Sequence, residues 1–414
     1  MTNRRLEIPD YVKKVMIKIY DSKFNVYIVG ECMRKFARNR KISTYTLVTN
    51  ARLKDIVELF NEHYPTVAHK NEFKIKSDGK VVIVRVFDKD TLYIDDYLRK
   101  KDFTFNAIAY TFDNYILDNF CGIQDIRKGS VKAIRNDVFS ENPLKIVSAI
   151  KFACIFKNGY IDQLTYNFIK RDLHLLDNIP LSEYKDDFLR MVYTKNAPNI
   201  FRKYPNIISN IIPYSKEMQA YDDNNCSLYE RMIRTLENLS YNSKRPTLAA
   251  IYLLSGKTKE SVNISSFIAV SAKICETILK DFGVKTKLVR EVVSIIQYFN
   301  VDFTEEYDRN CFTGILGVDI IKEIYALRIA VKKAYDEDSS FIEKEQKSVV
   351  DTIKRTDIFY INNLVVDGLV LHNMGFEGEE VGIKLIEVYL KVINNELKNS
   401  KNDILDYLNK YIKA

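Results

Sequence analysis

Phe24-Asn25-Val26-Tyr27-Ile28-Val29-Gly30-Glu31-Cys32-Met33-Arg34 holds a strand signal, a stop and a helix start in one short run. The uncharged β-branched and aromatic residues up to Val29 read as a buried strand, and Gly30 ends it. Residues 31–39 then return to helical spacing. A strand that ends in glycine and opens a helix can aim backbone N–H groups and a helix dipole at phosphate, although a plain strand-to-helix turn uses the same residues. Upstream, Pro9 opens a helix over residues 9–20. Downstream, Ser43–Val48 is short and β-rich, and residues 51–64 are helical. Glu72–Lys76 and Lys80–Phe87 are predicted strands flanking Ser77-Asp78-Gly79-Lys80, a hairpin turn. The first 130 residues therefore read as a small α/β or α+β module with helices on a sheet.

From Asn142 onward the apolar residues repeat at three and four, as in Leu144, Val147, Ile150 and Ala153, or Ile233, Leu236 and Leu239. The remainder is predicted to be an all-helical array. Breaks fall near Ile211-Ile212-Pro213, at residues 300–302, at Ser339-Ser340 and across residues 372–378. No constant-period repeat and no low-complexity tract interrupts it. With 414 residues the chain exceeds one compact core, and 46% hydrophobic against 29% charged residues excludes a disordered protein. Lys and Arg exceed Asp and Glu by 63 to 55, a mild excess that suits a polyanionic partner or a simply solvated surface. The six cysteines lack zinc spacing and read as buried thiols in a reducing compartment. Without a signal peptide or a long apolar run, the expectation is a soluble cytoplasmic protein with no membrane contact.

Six segments, in order, resemble the class II tRNA nucleotidyltransferases, the CCA-adding enzymes and their bacterial poly(A) polymerase relatives. Gly30-Glu31-Cys32-Met33-Arg34-Lys35 is similar to that family's G-G-x-V-R-D turn, and Thr44-Tyr45-Thr46-Leu47-Val48-Thr49-Asn50-Ala51 to its D-x-D strand with A-T-N-A. Lys100-Lys101-Asp102-Phe103-Thr104-Phe105-Asn106-Ala107 stands for R-R-D-F-T-x-N-A, and Asp118-Asn119-Phe120-Cys121-Gly122 for D-P-F-G-G. Residues 138–152 resemble the helix carrying E-D-x-L-R. Residues 364–382, with a strand-like Leu364–Leu371 segment, Gly375-Phe376, Gly378 and Gly382, resemble the tail motif. The resemblance implies an α+β fold: a nucleotidyltransferase head with a small mixed sheet over 1–130, then a helical neck with the nucleotide template (131–215), a helical body (216–350) and a helical tail (351–414) in an elongated hook.

What the resemblance implies for chemistry is then a matter of departures. Nucleotide addition uses two divalent ions about 4 Å apart, and such hard cations need carboxylate oxygens. Alternate residues on a strand share a face, so a D-x-D pair plus an acid from a neighbouring strand forms the clamp. Thr44 and Thr46 occupy the pair and Ile83 the third position. Asn142 and Lys145 stand where the family's Asp and Arg read the incoming base, and lysine lacks arginine's planar fork. The family-equivalent nucleotide-binding positions are Gly30, Glu31, Arg34, Asp102, Asn106, Asn142 and Lys145. A region resembling an attached HD phosphohydrolase module has Leu253 and Leu254 where metal-binding His and Asp belong.

The expectation is thus a catalytically silent family member that keeps RNA binding, with tRNA as partner and CTP or ATP as its small molecules. No metal site and no cofactor are expected, although the family uses Mg²⁺. RNA-binding candidates are Arg38, Arg40 and Lys41, with Arg34 and Lys35 beside them, and Lys391 and Lys398, with Lys401, Lys410 and Lys413 in the tail. Two alternatives stay open: an active CTP/ATP:RNA nucleotidyltransferase with relocated ligands, such as Glu31 with Asp88 or Asp90, and a protein-interaction or regulatory module. The oligomeric state is not legible.

Overall fold

The computed structural model describes residues 5–60, 72–240, 243–259 and 267–412, and the chain divides into two compact units, Met1–Ile211 and Ile212–Ala414. The amino-terminal unit is built on a six-stranded mixed sheet of order β3-β4-β2-β1-β5-β6. Its strands are β1 (Val26–Val29), β2 (Tyr45–Thr49), β3 (Glu72–Ser77), β4 (Lys80–Val86), β5 (Ala109–Thr111) and β6 (Ile116–Leu117). The β3–β4 hairpin closes on Asp78 and Gly79, both at positive φ (50° and 73°), the backbone that matches the twist of the flanking strands. Helix α1 (Asp10–Asp21) starts after Pro9 and buries Val12, Val15, Met16 and Ile19, a single stripe laid against the sheet. The Asn25 N–H donates to Oδ1 of Asn50 at 2.7 Å, which ties the start of β1 to the end of β2.

Register decides what the sheet presents. β2 and β4 run parallel, with Thr46 opposite Ile83 and Val48 opposite Arg85. The antiparallel β1 places Val29 opposite Thr46, and β3 places Lys74 opposite Ile83 and Glu72 opposite Arg85. Directly paired residues and residues two apart share a face. One face therefore carries Val29, Thr46, Ile83, Arg85, Lys74 and Glu72.

Helix α2 (Glu31–Ala37) follows β1, α3 (Leu53–Phe60) follows β2 and α4 (Ile94–Arg99) follows β4. The helix sought over residues 51–64 is described only to Phe60, and its last four residues lie outside the described segments. The chain beyond β4 is helical from Ile94. The Tyr93 N–H donates to the Asp96 carboxylate, and Ile94, Tyr97 and Leu98 bury themselves against Val29, Val48, Ala107 and Ala109. After α5 (Gly122–Lys128) come β7 (Ser130–Val131), α6 (Val138–Glu141), α7 (Leu144–Ile155), β8 (Tyr160–Ile161), α8 (Gln163–Asp172) and α9 (Lys185–Val192). β7 pairs parallel with β8, which corrects the expectation of helix alone beyond Asn142.

The second unit is helical throughout its described residues apart from an isolated bridge between Asp222 and Ser227. Leu253 and Leu254 are buried in it (1% and 4% exposed), so the residues at the HD-like metal positions serve as core. Leu364–Leu371, expected to be strand-like, instead follows a 3₁₀ turn at Ile361–Asn363 and is helical from Gly368. There the Asp367 carboxylate caps the helix by accepting from the N–H groups of Leu369 and Val370, and Leu371 and Phe376 join a cluster with Val388, Tyr389, Ile404 and Leu408. Together these elements make an α+β protein with a small mixed sheet at its amino-terminal end. No helix among the described residues is long and apolar enough to cross a membrane.

Candidate nucleotide pocket

Beside that sheet face lies a cavity of about 470 Å³, with walls drawn from four sequence segments of the first unit. Gly30, at φ 83°, turns the chain from β1 into α2, a backbone that L side chains rarely adopt. The turn places Arg34, one helical turn on, at the cavity wall. The Arg34 guanidinium donates to Oδ1 of Asn106 at 2.5 Å and lies 5.2 Å from the Phe152 ring centre. Burial pulls its pKa below the ordinary value, and the charges of Glu31 and Asp102 oppose the shift.

Asp102 precedes and Asn106 ends the Thr104–Asn106 turn, where Phe105, and Phe103 just before it, are fully buried. Nδ2 of Asn106 donates to Oδ1 of Asp102 at 2.5 Å, and Nζ of Lys145 sits 2.9 Å from Oδ2. Burial by itself would raise the Asp102 carboxyl. Lys145 and the hydrogen bonds from Asn106 and the Phe103 N–H outweigh it and hold the group below the usual carboxylate range. This turn rests on Gly122: a Cβ there would stand 2.2 Å from the Thr104 carbonyl oxygen. The Asp118 carboxylate fixes that glycine by accepting from the N–H groups of Gly122 and Ile123. Two of the sequence motifs are thus halves of one contact.

Of the seven expected nucleotide-binding residues, Gly30, Arg34, Asp102, Asn106, Asn142 and Lys145 line this cavity. Glu31 does not: it points along α2 to Lys35, 3.1 Å away. The positions expected to read the base have partners within the protein: Lys145 pairs with Asp102, and Oδ1 of Asn142 accepts the Leu144 N–H at 3.1 Å. The cavity also holds Arg85, Lys100, Lys101, Arg135 and Glu141, which the sequence reading did not single out as ligands. Arg85 was legible, since it lies two residues beyond Ile83 on a predicted strand and so shares its face.

The positions expected to match the family's metal ligands carry no carboxylate. Thr44 is exposed just before β2, and Thr46 and Ile83 are half-buried partners in the β2–β4 register. The nearest acid on that face, Glu72, is ion-paired to Arg85 at 2.7 Å. Among the described residues no group of three or more His, Cys, Asp or Glu side chains is arranged around a common point. Asp95 accepts from Asn119 and Asp96 caps α4.

The RNA-binding candidates divide. Arg38 turns inward, donating to the Ile155 carbonyl at 3.0 Å and stacking over Phe156. Arg40, Lys41, Lys398, Lys401 and Lys410 are exposed, Lys391 pairs with Glu396 at 2.9 Å, and Lys413 lies outside the described residues. All six cysteines are free thiols, four of them buried.

No protein-family model matches the chain. The CCA-adding enzyme of Pediococcus pentosaceus is 22% identical over 96% of this chain and 97% of its own length. That of Lactobacillus delbrueckii subsp. bulgaricus is 24% identical, over 49% of this chain and 56% of the enzyme, so some curated relatives match over only about half their length. Among solved structures, the Bacillus stearothermophilus CCA-adding enzyme in complex with CTP has a TM-score of 0.66 at 16% identity, covering 98% of each chain. The Thermotoga maritima CCA-adding enzyme complexed with tRNA has a TM-score of 0.58 at 17% identity, covering 99% of this chain and 97% of that one. These relatives correct the expectation of no cofactor: CCA-adding enzymes need Mg²⁺, so a metal requirement accompanies any nucleotide transfer by this chain.

Proposed function

From the chain's membership of the class II tRNA nucleotidyltransferase family, to which its full-length relatives assign it, we propose that it is a member that binds tRNA without extending it. One observation carries the reading: the register pair Thr46–Ile83, with Thr44 beside it, replaces the carboxylates that nucleotide transfer requires. Losing charge stabilisation at the reacting phosphate removes several powers of ten in rate. Binding does not fall with it, because RNA phosphates are held by dispersed lysines and arginines. Exposed Arg40, Lys41, Lys398 and Lys401 supply such contacts, and a solved neighbour is a complex with tRNA. CTP and ATP are the small molecules proposed for the head pocket, and the cytoplasm, which keeps six thiols reduced, is the proposed location.

The test is incorporation of labelled CTP and ATP into tRNA lacking its 3′ CCA, with Mg²⁺ present. No extension is expected, and Mg²⁺-dependent extension would show that the ligands have been relocated. A mobility shift with tRNA over a salt series checks the other half: binding at low salt that weakens steadily as salt rises. No binding even at low salt would leave the interaction-module reading standing.

A further inference from the structure

The cavity is lined by six cationic side chains, Arg34, Arg85, Lys100, Lys101, Arg135 and Lys145, against two carboxylates, Asp102 and Glu141. Three of the cations are neutralised close at hand: Lys145 by Asp102, Arg135 by Asp137 and Glu141, and Arg85 by Glu72. The other three have neutral partners. Arg34 donates to Oδ1 of Asn106, Lys100 to the Thr91 hydroxyl at 2.9 Å, and Lys101 lies 3.5 Å from the Tyr97 ring centre. Among the described residues none of these three has a carboxylate within ion-pair distance. An array of unneutralised cations at one concave wall is matched by a ligand carrying several negative charges in a row. The wall expected to read a base offers less, since Lys145 is held by Asp102 and the side-chain oxygen of Asn142 accepts the Leu144 N–H.

We infer that this pocket takes the phosphate chain of its ligand and is indifferent to the base. The ligand class is a polyphosphate of three or more phosphates, whether carried by a nucleoside or inorganic. Arg34, Lys100 and Lys101 hold the chain, while Lys145 stays on Asp102 and leaves the base unread. The inference rests on reading the head as a nucleotide pocket, but it stands apart from whether transfer occurs.

Competition binding to the full chain, at fixed Mg²⁺ and ionic strength, tests it with ATP, CTP, GTP, UTP, inorganic tripolyphosphate and adenosine. The four triphosphates should bind within about threefold of one another, tripolyphosphate should displace them, and adenosine should not. The ratio of tripolyphosphate to ATP affinity then tells which source fits better, and either ratio upholds the inference. Lys100→Gln with Lys101→Gln should weaken every phosphate ligand equally, by about tenfold or more, as loss of charge-assisted contacts does. Both residues are outside the core, and an unchanged melting temperature checks that the variant is folded. Preference for one base by more than about thirtyfold, or failure of tripolyphosphate to displace ATP, overturns the inference whatever the variant does. Incorporation into tRNA alongside equal binding of all four bases would sink only the silent reading, and base-selective binding without incorporation would sink only this one.

Discussion

Gly122 and Cys121 show how narrowly single positions are constrained in the head. Any side chain at Gly122 meets the Thr104 carbonyl, so Gly122→Ala should cost about 3 kcal/mol or fail to fold, read from the denaturation midpoint. Cys121 stands where the resembled family has glycine, and it adopts a left-handed backbone at φ 59° and ψ 30°. Relieving that conformation by Cys121→Gly should stabilise the protein by about 1 kcal/mol in the same measurement. Asp102 sets a pH dependence. Its folded-state pKa lies below the ordinary value, so its stabilising contribution is complete above about pH 4 and is lost as pH falls through the lowered value. Asp102→Asn should therefore flatten the acid limb of stability against pH; an unchanged limb would mean that the Lys145 and Asn106 contacts do not act on this carboxyl.

Between elements, a buried polar link joins α7 to α9. Lys151 is only 8% exposed, and its ammonium reaches both oxygens of Asp187 at 2.9 and 2.8 Å, while the Ser148 hydroxyl donates to the same carboxylate. Burial pulls the Lys151 pKa down and Asp187 opposes that shift. Removing one partner strands a buried charge, so Lys151→Met should cost about 3 kcal/mol, whereas Lys151→Met with Asp187→Leu should recover much of the loss. A double-mutant cycle in denaturant measures the difference, and equal losses in single and double variants would show that the pair acts only through packing. The β2–β4 ladder makes the matching point for the site. Its register gives Thr46, Ile83 and Arg85 one shared face, which converts three separated sequence positions into one electrostatic surface.

Across the whole molecule, the full-length relatives and the helical second unit argue that the likeness extends beyond the sheet, while the head carries Thr44, Thr46 and Ile83 where carboxylates are expected. Restoring acids in a Thr44→Asp, Thr46→Asp, Ile83→Glu variant should give at best weak, unselective extension of tRNA in the presence of Mg²⁺. The template would still lack its acid and its planar fork, with Lys145 committed to Asp102. Selective CCA addition by that variant would refute the account of the template.

Much of the fold was legible in local pattern. The Val29-Gly30 stop, the Asp78-Gly79 turn and the helical period after Asn142 are short-range signals, and backbone sterics and amphipathic spacing act over only a few residues. That Thr44, Thr46 and Ile83 bring no carboxylate to the sheet was legible too, because a side chain without one cannot gain it by folding. Packing alone decided that residues 94–99 are helical and that two residues after Gly159 form a strand. It also turned Arg38 inward and Glu31 along its own helix, and it grouped Arg85, Lys100, Lys101 and Arg135 around one cavity. Those outcomes depend on pairings between residues tens of positions apart, and charge is felt through space, so the order of the chain does not reveal which cations will share a wall.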